Sequence, residues 1–334
     1  MILTYKIKHG RDFSDELRKA KQIAKFAIQT RSLSSKDAKH FGLKSMISNQ
    51  ILRKYSRSNT AKSVKSVKLA VPNQGIKVDR NTKTISAPCL KLSLRYEFPD
   101  NFEKVNQIEI GSEYAYISVS IPEPELVNAE KWLGVDRNTV GHIAVVSDPE
   151  TGKVIKLGKS ALHIHQKYKS LRKGFQKKGK YEKVKQIKDR ESRIVKDINH
   201  KVSRKIVDTA KESGKGIKLE DLTGIRNSKK QAKSFQYAKH SWSFYQLQQM
   251  IEYKAKLLGV EVAYVDPAYT SKSCSRCGLI GDRNKKSFKC LCGHVDHADA
   301  NAGFNIAKRP CIDRLHTDRD VCKGTTDSPK TALA

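Results

Sequence analysis

Four cysteines near the C-terminal end constrain this chain more than any other feature. Cys274-x-x-Cys277, twelve residues, and then Cys290-x-Cys292 is a zinc-ribbon spacing. The loop between the pairs is polar and lysine-rich, too poor in apolar residues to build a core, so four thiolates around one zinc ion are expected to hold it. The second pair is one residue shorter than the usual two-residue knuckle, which leaves His294 or His297 as a substitute for one cysteine. Directly after the ribbon, His297-Ala-Asp299-Ala-Asn301-Ala-Gly-Phe-Asn305-Ile306 opens a helix with Asp299 in its first turn. A metal-fixed loop therefore delivers a carboxylate to a defined place. Ahead of the ribbon, Gly259 to Val265 reads as a strand ended by Asp266 and Pro267.

Partners for that carboxylate lie upstream. Trp132-Leu-Gly-Val-Asp136 is an apolar strand ending in an acid, and His142 to Val146 and Val154 to Leu157 complete an antiparallel meander. A basic helical stretch follows, then a strand from Gly214 to Glu220, then a helix from about 241 to 258 with Phe244, Leu247, Ile251, Ala255 and Leu258 as its apolar stripe. The resulting order β-β-β-α-β-α-β-α is that of the ribonuclease H-like α/β fold. There, acids from the first strand, the fourth strand and the last helix converge, and Asp136, Glu220 and Asp299 occupy those places. Each alone has an ordinary reading as a turn residue, a loop start or a helix cap; their joint order carries the argument. Asp221, Asp266 and Asp296 are the nearest competitors, but Asp221 falls on the opposite strand face and Asp296 precedes the helix. Three gathered carboxylates repel one another, and divalent cations hold such a cluster ionised. Magnesium suits the oxygen ligands, and two ions roughly 4 Å apart fit phosphodiester hydrolysis.

Charge points to the same substrate class. Lys and Arg number 66 against 34 Asp and Glu, a net +32, and a surplus of this size calls for a polyanion, of which nucleic acid is the natural one. From His165 to Lys205 there are 16 basic and 4 acidic residues in a helical hairpin with a break at Gly174 to Gly179, its second arm striped by Val184, Ile187, Ile194, Ile198, Val202 and Ile206. A charged helix face is usually only solvated. Here the acids that would pair at i,i+4 are mostly missing, so Lys167, Lys169, Arg172, Lys173, Lys177 and Lys178 are candidate phosphate contacts. Arg226, Lys229, Lys230 and Lys233 lie in a second basic stretch, 226–240, expected to be a mobile loop. No apolar run approaches twenty residues and the opening residues lack a signal-peptide core, so no membrane association and a cytoplasmic, nucleoid-associated location in a prokaryotic host are expected. Of the seven cysteines, Cys89 reads as a small buried hydrophobe; Cys311 and Cys322 with His316 form no knuckle-like pair and are not expected to bind metal.

Length and pattern predict two domains with a boundary at Pro122 to Pro124. Residues 1–124 read as a small β-barrel carrying a helical insertion at about 10–60: Phe13, Leu17, Ile23, Ala24 and Ala27 share one helical face. A second helix follows Ser34-Ser35, and alternating strands run from Val64 to Ile121. Residues 125–270 and 296–309 form the nuclease-like domain, 271–295 the ribbon, and 310–334 a disordered tail.

These stretches resemble the TnpB proteins, transposon-associated RNA-guided nucleases related to compact type V CRISPR effectors. The likeness is carried by Trp132 to Asp136, by Leu219-Glu-Asp-Leu-Thr-Gly-Ile-Arg226, by Ser241-Trp-Ser-Phe-Tyr-Gln-Leu-Gln248, by Tyr264 to Gly278 and by Asp299 to Ile306. It is dense from about 130 to 307; over the first 120 residues it rests on the helix-plus-barrel order. Asn138 stands where the family often has glycine, a mild change because asparagine tolerates the left-handed conformation. The resemblance implies a RuvC-like domain with its triad on Asp136, Glu220 and Asp299, an inserted zinc ribbon, and N-terminal wedge and recognition parts. Those parts would hold a guide RNA and read a short duplex motif beside the target DNA. The expected function is an RNA-guided, magnesium-dependent DNA endonuclease. The alternatives are an RNA-guided DNA-binding repressor that does not cut, a strand-transfer transposase and a guide-independent structure-selective nuclease. An intact triad favours the endonuclease, and the sequence leaves the oligomeric state open.

Overall fold

The computed structural model describes residues 1–138, 141–222 and 244–312, the side chain of Phe244 excepted. The chain divides into two compact units, Met1–Glu123 and Pro124 onward. Among the described residues no helix is long and apolar enough to cross a membrane.

The first unit begins with strand β1 (Ile2–Lys8), followed by helices α1 (Ser14–Thr30) and α2 (Ser45–Ser56). The two helices pack together through Ala20, Ile23, Ala24 and Ala27 of α1 and Ile47, Ile51 and Leu52 of α2, all buried. α2 starts well after Ser34-Ser35, because a 3-10 turn at Lys39–Phe41 ends on Gly42, whose φ of +68° breaks the helix. Then come β2 (Leu69–Pro72), β3 (Lys77–Asp79), β4 (Thr84–Ala87), β5 (Leu92–Arg95), β6 (Lys104–Ile110) and β7 (Tyr114–Ser120). They make two sheets, β1-β7-β6-β2 and β3-β4-β5, which hydrogen bonds do not join edge to edge into the expected continuous barrel. Pro72, lacking an amide N–H, ends β2 before a 3-10 turn at Asn73–Gly75. An aromatic cluster fills the interior: Tyr5 stacks on Phe98 at 4.1 Å, and Tyr96 packs on Phe98 and Phe102. Cys89 lies in a 3-10 turn, half-buried, where full burial was expected.

The second unit is built on five strands: β8 (Trp132–Arg137), β9 (Ala144–Ser147), β10 (Val154–Leu157), β11 (Gly216–Glu220) and β12 (Val262–Val265). Their order is β10-β9-β8-β11-β12. β8, β9 and β10 pair antiparallel, and β11 lies parallel to both β8 and β12. Helices α3 (Ser160–Lys177), α4 (Tyr181–Ile187) and α5 (Arg190–Glu212) lie between β10 and β11, and α6 (Phe244–Leu258) precedes β12. Leu133 and Val135 of β8 and Ile217 and Leu219 of β11 pack against Val202, Ile206 and Val207 of α5 and Leu247, Ile251 and Ala255 of α6. This apolar core covers one face of the sheet. The helical break differs from the expected one. α3 runs through Gly174, and a second interruption at Lys188 and Asp189 resets the helical phase, so α5 buries Glu191, Val195 and Asn199 and leaves Ile194 exposed.

A fourth, small sheet of β13 (Asp282–Asn284), β14 (Ser287–Lys289) and β15 (Val295–His297) leads into the last helix, α7 (Ala298–Lys308). Its own core is little more than Cys274, Phe288 and Ala298.

Candidate active site and metal centre

Strand alternation assembles the acids. On β8, Leu133 and Val135 face the apolar core, so Gly134 and Asp136 face the other way. The parallel register that sets Leu219 beside Val135 places Lys218 and Glu220 of β11 on that same second face. α7 packs there. A Cβ on Gly303 would meet the Ser147 side chain and a Cβ on Gly134 would meet the backbone of α7, so this helix lies on the sheet at backbone distance. The Ser147 Oγ donates to the Ala300 carbonyl at 3.1 Å, and the buried Lys218 Nζ donates to the Ala307 and Arg309 carbonyls at the far end of α7. An ammonium at a helix C-terminus satisfies carbonyls the helix leaves open and complements its dipole. With α7 pinned at both ends, the first-turn Asp299 is held under the carboxyl ends of β8 and β11.

All three carboxylates are buried, and Asp299 is 0% exposed. Burial pushes Asp136 up to about 7, and the neighbouring charges of Glu220 and Asp299 push the same way against the Asn138 amide, which donates at 2.7 Å. Burial also raises Glu220, opposed by a hydrogen bond from Thr270 Oγ1 and the guanidinium of Arg137. The Arg137 fork spans Gln248 Oε1 at 2.8 Å and the Glu220 carbonyl, fixing the end of β11 against α6. Asn138 does not take the left-handed conformation; its side chain is used directly on Asp136. Asp299 pairs with Arg283 at 3.2 Å and with Lys286, both from the β13–β14 hairpin. The charges of Glu220 and Asp299 thus bear on Asp136, and two protein cations sit on Asp299. Carboxylate oxygens are donors that hard divalent cations take, but among the described residues it is the four cysteines whose ligand atoms gather closely enough for a single ion.

The competing acids stay outside it. Asp266 caps its own turn through the Ala268 N–H, and Asp296 accepts from the His297 N–H and stands 3.9 Å from His294. Sequence reasoning assigned no role to Thr270, Arg137, Arg283, Lys286 and Lys218; only contact across the fold marks them.

The four cysteines converge: all four Sγ atoms lie within 4.8 Å of one another, with Cys274 to Cys292 at 3.7 Å and Cys277 to Cys290 at 3.5 Å. Tetrahedral zinc with bonds of about 2.3 Å spaces its sulfurs roughly 3.8 Å apart, so the group fits. His294 instead turns toward Ser275 at 3.4 Å, and His297 stands in β15 with its Nδ1 buried and without a hydrogen bond. Asn301 and Asn305 of α7 tie the ribbon to the acids, bonding the Ser275 N–H and the carbonyls of Ser273 and Thr270 at 2.7–2.8 Å.

Of the basic candidates, Lys167, Lys169, Lys173, Lys177 and Lys178 are exposed on or just after α3. Arg172 instead bonds the buried Glu191 of α5, which also takes a 2.6 Å bond from His165 Nδ1. Arg226, Lys229, Lys230 and Lys233 lie outside the described residues, as do His316 and Cys322.

Comparison with known proteins places this arrangement in a class. The family described as Cas12f1-like, TNB domain, matches residues 244–306. A TnpB-like protein of Methanocaldococcus jannaschii is 35% identical over 208 residues, 58% of this chain and 74% of its own. The CRISPR-associated endodeoxyribonuclease Cas12f1 of Sulfoacidibacillus thermotolerans is 31% identical over 222 residues, 60% of this chain and 51% of its own, so the match spans about half that relative's length. The cryo-EM structure of a Cas12f1–sgRNA–target DNA complex has a similar fold, with a TM-score of 0.62 at 16% identity over 90% of this chain and 82% of that one. The fold and site define a TnpB-related α/β protein of the compact type V effector kind. The chain belongs to the TnpB family.

Proposed function

We propose that the protein is an RNA-guided DNA endonuclease that hydrolyses phosphodiester bonds at Asp136, Glu220 and Asp299. One observation carries this reading: Asp136 and Glu220 on one sheet face and Asp299 on the helix packed against it are all buried, with the charges of Glu220 and Asp299 bearing on Asp136, in a chain of net charge +32. The domain is then RuvC-like, with Asp136, Glu220 and Asp299 as the ligands of two magnesium ions. Those ions, when bound, supply an activated water and neutralise charge at the leaving 3′-oxygen. The protein's own groups set the geometry. Asn138 orients Asp136, Thr270 orients Glu220, and Lys218 with Ser147 seats the helix that carries Asp299. Cys274, Cys277, Cys290 and Cys292 hold a structural zinc. The first unit acts as wedge and recognition module, with guide RNA and target DNA as partners and a short duplex motif read by the protein. Exposed lysines of α3 contribute phosphate contacts. A cytoplasmic, nucleoid-associated location accords with this role.

The test is to purify the protein with its copurifying RNA, supply matching DNA and magnesium, and compare it with Asp136→Ala. The expected result is cutting by the native protein and binding without cutting by the variant. Joined DNA ends would favour a transposase, and binding without cutting by the native protein would favour a repressor.

A further inference from the structure

In the first unit, between the start of α1 and the sheet, lies a cavity of about 550 Å³, walled by three cations, Arg18, Lys21 and Lys68, and one acid, Glu113, with Tyr114 and Tyr116 in its lining. The two tyrosines are two residues apart on β7 and share its outer face, while Ala115 and Ile117 between and beyond them are buried on the other. Each ring already holds a cation. The Lys6 ammonium sits 3.5 Å from the centroid of Tyr114, and that of Lys68 sits 3.6 Å from Tyr116. Glu109 pairs with Lys68 at 3.0 Å and Asp15 pairs with Arg18. Among the described residues, Lys6 and Lys21 have no carboxylate within ion-pair reach.

We propose that this groove binds a single-stranded stretch of nucleic acid, with unpaired bases on Tyr114 and Tyr116 and the adjoining phosphates on Lys6, Lys21 and Lys68. The assignment rests on the nucleic-acid reading of the whole chain and adds a place and a strand state. The chemistry of the groove selects among polyanions. A small anion or an acidic peptide would use the lysines and leave two aromatic faces idle. A duplex keeps its base faces stacked inside and offers only its backbone. A single strand presents a flat π-face and a phosphate in turn, which is the pairing this surface can satisfy. Binding would exchange like for like: each lysine passes from ring to phosphate, and each ring passes from ammonium to base.

The experiment measures binding of the full chain, freed of copurified RNA, to short oligouridine, oligothymidine and a DNA duplex at one fixed salt concentration. The native protein is compared with the paired variants Tyr114→Ala/Tyr116→Ala and Tyr114→Phe/Tyr116→Phe. Single-strand affinity should fall at least roughly 5- to 150-fold in the alanine pair, the range that a single stacked base contributes, while the phenylalanine pair and duplex binding stay near native. Loss for oligouridine alone identifies the guide as the occupant, loss for oligothymidine alone identifies the DNA, and either outcome supports the groove. Should the alanine pair melt early, Lys21→Gln serves instead, with a salt dependence shallower by about 0.7 in log–log slope. Unchanged single-strand affinity in both variants overturns the groove and leaves the nuclease reading intact, and an equal loss for duplex overturns the single-strand assignment. A native protein that binds none of the three overturns the nuclease reading as well.

Discussion

A methyl group on Gly134 would overlap the carbonyl oxygen of Gly303 and come within 2.6 Å of the Ala307 amide nitrogen, so β8 and α7 meet through bare backbone. That contact sets the distance between Asp136 and Asp299, which ride on the same two elements. Gly303→Ala would drive a Cβ into the Ser147 side chain, which α7 uses as an anchor. The expected cost is about 1–3 kcal/mol of stability, read as a lowered melting temperature, together with a loss of DNA cleavage beyond that of an equally destabilised variant elsewhere. Native cleavage in Gly303→Ala would show that the close approach does not position Asp299.

Asp136 gives a pH signature. Its carboxyl is pushed up from the ordinary 3.8 to about 7, so between those values the folded metal-free protein holds a proton that the unfolded chain has released. Stability from this group therefore falls as pH rises from about 4 to 7 and stays low above. Asp136→Asn removes the buried charge, and at pH 8 the metal-free variant should be more stable than the native protein, on the order of 1–4 kcal/mol. Denaturant melts at pH 5 and pH 8 check this; a difference that does not grow with pH would contradict the burial argument.

The same proton competes with cations. Loading the acids requires releasing it, so magnesium affinity and cleavage should rise with pH through about 7, with proton release on loading detectable in calorimetry by varying the buffer's ionisation enthalpy. Glu220→Gln should reduce cleavage by roughly 10³-fold or more while leaving the ribbon's metal content unchanged. A flat rate between pH 6 and 8 would indicate that Asp136 is already ionised.

A metal ion on the four cysteines would stand in for a core in the ribbon. With only Cys274, Phe288 and Ala298 buried together, chelation should unfold this segment and release about one zinc per chain, and Cys290→Ser should lower metal content. Because Asn301 and Asn305 bond the ribbon's Ser273 and Ser275, loss of the metal is expected to loosen α7 as well. Hydrogen exchange over residues 298–308 reads this directly, and unchanged protection after metal removal would argue against the coupling.

Glu191 tests the helical hairpin. It joins α5 to His165 and Arg172 of α3 in a buried cluster, and Glu191→Ala removes the carboxylate that both of them share. A loss of about 3 kcal/mol is expected, reading out as early exchange in α3. Arg172→Lys should lose part of that, since an ammonium cannot reproduce the planar fork.

Much of this was legible in the sequence because it is periodic or local. The alternation in Trp132–Asp136 and Gly214–Glu220 placed both acids at strand ends, and the cysteine spacing marked the ribbon before any coordinates. The phase of α5 was not legible: a helix can break at Lys188 as well as at Gly179, and the choice was made when Glu191 found His165 and Arg172 across the hairpin. Arg172 accordingly turned inward although its neighbours pattern as a phosphate-facing run. The two sheets of the first unit likewise depended on which strand edges met.

The order of elements, the acid-ended strands and the spacing of the four cysteines were written in the chain itself, since each follows from position along one backbone. Tertiary packing alone decided how near the acids stand, which cations answer them and which tyrosines share a groove with lysines. Those outcomes depend on distances between segments remote in sequence, which only packing within each unit fixes.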